Sequence, residues 1–178
     1  MASITERIEN LRQQIAAEGI DPRKGLGREL FLFASSLMPV VNVDLLVYNS
    51  KGQVLLAMRN DPHCGKGWHI PGGCVRFKET VDTRIKKVAQ SELNLTGFTY
   101  DKEPIKVFEI MWDKDQRSLE NDDERAHFIT LVYKCYASDS YIIDNKGKSE
   151  TEVGYLRWFD KLPVDLLKVQ NCYREILK

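Results

Sequence analysis

Glu92 stands where a carboxylate is expensive. Val81, Ile85 and Val88 recur at steps of four and three residues, the spacing of one buried helix face, and Glu92 is the next position on that stripe. An unpartnered carboxylate on an apolar stripe costs on the order of several kcal/mol. A divalent cation is a natural partner. The preceding Gly72-Gly73 pair would let backbone carbonyls approach such a cation closely. The same pattern also admits a Glu92 that lies past the packed region and points into water.

These groups need elements to hold them. Residues 80 to 93 carry the helical pattern. Upstream, VVNVDLLVYN reads as a strand from Val40, and Ser50-Lys51-Gly52 reads as a turn. QVLLAMR comes next as the hairpin partner, and NDPHCGKGW reads as a loop leading to HIPGG. Downstream, IKVFEIMW and HFITLVYKCYA read as strands, joined by an acidic loop from Leu119 to Arg125. YLRWF reads as a short strand. From Pro163 onward the pattern predicts a C-terminal helix, with Val164, Leu167 and Ile176 among its apolar positions.

The first 38 residues differ in texture. Residues 3 to 18 predict an amphipathic helix: Ser3 and Glu6 form a capping box, Ile4, Ile8, Leu11 and Ile15 form one stripe, and Gly19 is a stop. Asp21-Pro22 opens a second helical piece that Gly25 and Gly27 weaken, and Pro39 closes the apolar run Leu30 to Leu37. This extension reads either as a lid or dimerisation arm, or as a segment that merely packs on the domain. The division predicted is an extension over 1–38 and a domain over 39–178. Strands, one central helix, more strands and a final helix make the class α/β (α+β).

Composition narrows the function classes. With 43% hydrophobic and 29% charged residues the chain can bury a proper core. Lys+Arg and Asp+Glu are each 26, and this neutral balance argues against a general nucleic-acid binder. No apolar run is long enough to span a bilayer, and the start MASITERIEN lacks a signal-peptide core, so a cytoplasmic location with no membrane partner is expected. Cys64, Cys74, Cys135 and Cys172 form no CxxC pair and read as reduced thiols. His63, Cys64, His69 and Cys74 lie close in sequence but lack the spacing of a structural zinc site.

The stretch PGGCVRFKETVDTRIKKVAQSELNL resembles the box of the Nudix hydrolases, G-x5-E-x7-R-E-U-x-E-E-x-G-U, where U is a bulky aliphatic residue. Gly73 takes the first position, Glu79 the next, and Glu92 the second of the paired acids. Lys87 stands for the Arg, Val88 for a Glu, Ser91 for the first paired Glu and Asn94 for the Gly, while Ala89 and Leu95 keep the aliphatic positions. The surroundings agree: a strand, a hairpin strand, W-x-I-PGG and the box helix, over about residues 40 to 160. The resemblance implies a mixed β-sheet sandwiched between helices. It also implies hydrolysis of a nucleoside-diphosphate derivative with magnesium, or manganese, as cofactor. With Val88 and Ser91 in place of two carboxylates, a single-metal site is the physical expectation.

One branch is similar in keeping only the last box Glu, the GDP-mannose mannosyl hydrolases. They hydrolyse at the anomeric carbon of the sugar and leave the nucleoside diphosphate intact. VVNVDLLVYNSKGQVLLAMRN resembles their first two strands and puts Asp44 and Arg59 at positions of substrate binding and catalysis. Ala126-His127-Phe128 resembles a later strand. Aligning Arg157-Trp158 places Glu152 at a metal-ligand position and Val153, which takes no proton, at the general-base position; Glu150, nearby in sequence, and His127, if its strand faces the site, are the alternative proton acceptors. Cys74 replaces a substrate-binding Arg.

The resemblance thus implies Arg59, Glu92 and His127 as catalytic groups. Asp44, Arg59, Arg76, Lys87 and Phe128 would contact substrate, and the Gly72 carbonyl, Glu92 and Glu152 would hold the cation. Plainer readings stand beside these: Arg76 as a solvated loop charge, Lys87 paired with a helix neighbour, and Trp68 as core rather than a base-stacking ring. The expected partner is a nucleoside-diphosphate sugar, GDP-mannose-like, and the striped N-terminal helix admits a homodimer. Two rivals remain at this level. One is a Nudix pyrophosphatase cleaving the phosphoanhydride; the other is a non-catalytic nucleotide-sugar binding module, which Val88 and Val153 favour.

Overall fold

The computed structural model describes residues 2–61, 64–111 and 127–177. Strand β1 (Val40–Tyr48) is the axis of the fold. Its positions 43 to 47 are all buried, which is why an almost unbroken apolar run is tolerated there. On one side β1 meets β2 (Val54–Asp61) in an antiparallel hairpin across the predicted turn. On the other it runs parallel to β7 (His127–Ala137) in a continuous register from Val40↔Phe128 to Tyr48↔Tyr136.

Four further strands extend the sheet. β3 (Gly65–His69) pairs with β2, β4 (Gly72–Cys74) with β1, and β5 (Phe98–Tyr100) and β6 (Lys106–Met111) with β7. With β8 (Leu156–Phe159), which pairs with β2, this gives an eight-stranded mixed sheet ordered β3-β2-β1-β7-β5 along its main path.

Both faces of the sheet are covered. On one, helix α3 (Val81–Leu93) lays Ile85, Val88, Ala89 and Leu93 against Val43, Leu45 and Val47 of β1. Thr80 caps its first turn by accepting from the Thr83 amide, and Asn94 ends it in the left-handed region. On the other face Leu46, Leu56, Met58, Trp68 and Ile70 pack with Leu166 and Tyr173. Trp68 is therefore core, edge-on to Phe159 at 4.7 Å between centroids.

Three expectations are corrected. The segment read as a loop contains β3, whose Gly65 and Gly67 carry little strand propensity but complete a hairpin register from Asp61↔Gly65 to Ala57↔His69. The chain after Pro163 does not form an α-helix: Trp68 donates to the Asp165 carbonyl and Leu167 donates back to that of Trp68. After a turn at residues 164–165 that pairing makes a single bridge at Leu166, and a 3-10 helix, Lys168–Glu175, takes over from there. The short strands β4 and β5 complete the sheet where no strand was expected. The acidic stretch Leu119 to Arg125, His63 and Trp112 lie outside the described residues.

Ahead of the sheet, α1 (Ile4–Ala17) forms with the predicted capping box, and α2 (Gly27–Leu37) comes after it. No residue of α1 is buried, so its Ile4, Ile8 and Leu11 stripe faces outward. No described helix is long and apolar enough to cross a membrane. The four cysteines are free thiols.

Candidate active site

The site begins with Asp44, a carboxylate on the central strand at 3% exposure. β1 places it directly opposite Gly72 of β4. A Cβ on Gly72 would lie 1.8 Å from Asp44 Oδ1 and 2.8 Å from the Val43 carbonyl, so only glycine fits beside this acid. The next glycine answers to the helix, since a Cβ on Gly73 would come within 3.1 Å of Val88 Cγ2.

Three side chains donate to Asp44. Asn42 Nδ2 reaches Oδ1 at 2.6 Å, and Tyr173 Oη reaches Oδ2 at 2.5 Å, with Gln170 Nε2 at 3.5 Å from the same oxygen. Burial pushes the Asp44 carboxyl up to about 6, against the opposing pull of the Tyr173 and Asn42 hydrogen bonds. Gln170 also accepts from the Ile70 amide at 2.7 Å and donates to the Ile70 carbonyl at 3.1 Å, clamping the 3-10 helix to the chain just before Gly72.

Beside this acid lies a cavity of about 530 Å³. Asp44, Arg59, Gly72, Glu92 and Phe128 all line it, so five of the residues singled out by sequence meet in one place. Glu92 closes the apolar stripe of α3 with its side chain 33% exposed. Its Oε2 lies 3.6 Å from His69 Nε2, longer than a hydrogen bond. His69 is buried, and its Nδ1–H donates to the Ala57 carbonyl at 2.8 Å. Lys148 adds a cation to the lining and donates to the Val153 carbonyl at 2.9 Å.

Four other predicted residues are placed elsewhere. Lys87 pairs with Glu79, ahead of α3, at 2.9 Å and is not among the lining residues. Arg76 packs against Gly25, in a second groove of about 690 Å³ between α2 and the domain. His127 Nε2 lies 3.1 Å from Glu109 Oε1 across the β6–β7 pair, off the cavity lining. Glu152 accepts from the Ser149 amide and hydroxyl, both at 2.7 Å, within an exposed turn; its neighbours Val153 and Gly154 reach the cavity instead.

Sequence reasoning missed His69, Tyr173 and Gln170 as site residues. His69 carried one signal, its place just ahead of the glycine pair in HIPGG. Nothing local marked Tyr173 or Gln170, whose reach to Asp44 spans more than 120 residues.

A cation fits the donor chemistry of this cavity. Glu92 offers carboxylate oxygen to a half-buried space. Among the described residues no three His, Cys, Asp or Glu side chains converge as a metal cage. An ion held by few protein ligands keeps its waters and takes phosphate oxygens from its substrate.

Comparisons with known proteins bear on the family and the fold. A family model described as the NUDIX domain matches residues 38–178. The low-salt glycan biosynthesis protein Agl8 of Haloferax volcanii is 26% identical over 116 residues, 65% of this chain and 70% of that protein. A structure from Jonesia denitrificans, described as a possible asymmetric diadenosine tetraphosphate hydrolase, superposes with a TM-score of 0.55 at 19% identity, covering 77% of this chain and 91% of that one. The MutT NUDIX hydrolase of Burkholderia pseudomallei gives 0.53 at 20% identity, covering 78% and 97%. At these identities the two solved structures speak to the fold.

Proposed function

The chain belongs to the Nudix family, and on that premise we propose that it hydrolyses a nucleoside-diphosphate sugar, GDP-mannose-like, releasing the sugar and the intact nucleoside diphosphate. The observation that carries this reading is the make-up of the cavity. Glu92 and Arg59 share it, while a core valine, Val88, and Ser91 fill two other acidic positions of the box and Glu79 is taken up by Arg84 and Lys87 outside the lining. A single box carboxylate in the cavity suits one divalent cation, magnesium or manganese, held by Glu92 with help from the Gly72 carbonyl.

The residues divide the work. Arg59 presents a planar fork that matches two diphosphate oxygens at once. Lys148 adds positive charge at the rim. Asp44, held by Tyr173 and Asn42, offers a fixed acceptor for a sugar hydroxyl or a base N–H. Phe128 supplies an apolar wall. A cation bound at Glu92 offsets the charge that the diphosphate acquires on leaving. In the net reaction the water oxygen bonds to the anomeric carbon and the bond from that carbon to the diphosphate oxygen breaks. Its electron pair leaves with the nucleoside diphosphate and one proton is released.

The kinship with a glycan biosynthesis protein supports a sugar nucleotide as substrate class. Turnover of a nucleotide-sugar panel in water enriched in oxygen-18 tests the reading. Label on the free sugar is the expected result. Label on phosphate, with a nucleoside monophosphate as product, would move the chemistry to the phosphoanhydride. Ligand-induced stabilisation without any product would make the cavity a binding module.

A further inference from the structure

We propose that His69 is a metal ligand, so that Glu92 and an imidazole nitrogen hold the cation together and the site favours a first-row transition ion over magnesium. This deepens the reading of Glu92 as a metal ligand and rests on it.

Four observations carry the proposal. The ring of His69 is buried, yet it lines the cavity that Glu92 also lines. Its orientation is fixed from behind. The Ala57 carbonyl can only accept, so the 2.8 Å contact puts the ring proton on Nδ1 and leaves Nε2 as the bare nitrogen of the neutral ring. A histidine whose second nitrogen donates to a backbone carbonyl is the arrangement found behind metal-bound imidazoles. Nε2 in turn faces Glu92 Oε2 at 3.6 Å, two lone-pair carriers with no proton placed between them in that tautomer.

That separation has the size of a bite. Two bonds of about 2.1–2.2 Å opening at about 110–120° span it. Glu92 sits near the C-terminal end of α3, the negative end of the helix, where a cation is favoured over a bare carboxylate. His69 is itself fixed by β2–β3 pairing, because its strand partner is the same Ala57 that takes its proton.

The ligand chemistry then sets selectivity. Imidazole binds manganese, cobalt or zinc in preference to magnesium, which takes oxygen and keeps its water. This is an exchangeable site of two side chains and the Gly72 carbonyl, completed by solvent or phosphate and distinct from a structural zinc cage.

Manganese binding to the wild-type protein, read by electron spin-echo modulation, tests the proposal without relying on turnover. Nitrogen-14 modulation from an imidazole is expected, and labelling histidine with nitrogen-15 should change its pattern. His69→Gln should abolish the modulation and shift the magnesium-to-manganese competition roughly tenfold toward magnesium. Manganese binding that depends on Glu92 but shows no nitrogen coupling in the wild type would overturn the role of His69 and leave that of Glu92 intact. An imidazolium paired with Glu92 would give that result. Absence of any binding sensitive to Glu92→Gln would overturn both.

Discussion

Gly72 and Asp44 are a single decision made twice. The carboxylate occupies the space that a side chain at position 72 would take, and the Val43 carbonyl closes the other side. Gly72→Ala is therefore expected to cost about 3 kcal/mol, at the upper end of ordinary overpacking. In an Asp44→Ala background, where the nearer contact is gone, the same change should cost less than half as much. Urea unfolding of the four proteins in this double-mutant cycle measures the difference. Equal costs in the two backgrounds would mean that Asp44 does not dictate the glycine. The sequence marks this glycine pair as required and points to carbonyls approaching a cation as the reason. The buried acid is a second reason, one that spacing alone does not reveal.

At the scale of elements, the start of α3 is held by an ion pair that periodicity could not show. Glu79, with its side chain 5% exposed, takes Arg84 Nε at 2.8 Å and Lys87 at 2.9 Å, and it accepts from the Arg76 amide at 3.0 Å. Burial alone would raise its pKa, but the Arg76 amide, Lys87 and Arg84 together bring it down to about 2. A carboxylate depressed from 4.5 to about 2 contributes stability that is full above pH 4.5 and is lost as pH falls through 2. Glu79→Gln should lose about 3 kcal/mol at neutral pH by stranding the buried Arg84, and its disadvantage should fade below pH 4.5. Thermal denaturation from pH 2 to 7 checks this; a deficit constant with pH would contradict it.

The same helix shows what was legible. Val81, Ile85 and Val88 repeat at a period that local sequence displays, and so Glu92 could be found. β3 is the counter-case: Gly65, Lys66 and Gly67 give no strand signal, and only pairing with β2 makes them one. The direction of the His69 ring was hidden for the same reason, since the pairing with Ala57 sets it. The C-terminal segment failed differently, since helical propensity lost to the pairing of residues 165 and 167 with Trp68. For Lys87, His127 and Glu152 a motif position was readable, and for Arg76 its charge, but the direction of each side chain depended on partners that spacing does not show.

At the scale of the whole molecule, the extension and the domain are unequal partners. α2 buries Leu32 and Ser35 against the domain, whereas α1 buries nothing and leaves Ile4 at 68% exposure. A chain starting at residue 20 should keep its melting temperature within about 2 °C, because no core area is lost. A drop beyond that, seen by differential scanning calorimetry at several protein concentrations, would show that the stripe is covered in solution. The domain is organised differently, with its stability and its chemistry meeting at β1. That strand supplies Val43, Leu45 and Leu46 to the two cores and Asp44 to the cavity.

In the proposed reaction, hydrolysis would depend above all on Glu92 holding the cation. Steady-state kinetics of Glu92→Gln beside the wild type, with the preferred nucleotide sugar and saturating manganese, tests that dependence most directly. Glu92 is one-third exposed and makes no core contact that glutamine lacks, so the fold should survive the exchange. The expected result is a fall in kcat of about 100- to 1,000-fold with the melting temperature unchanged. A kcat within about threefold of wild type would contradict it.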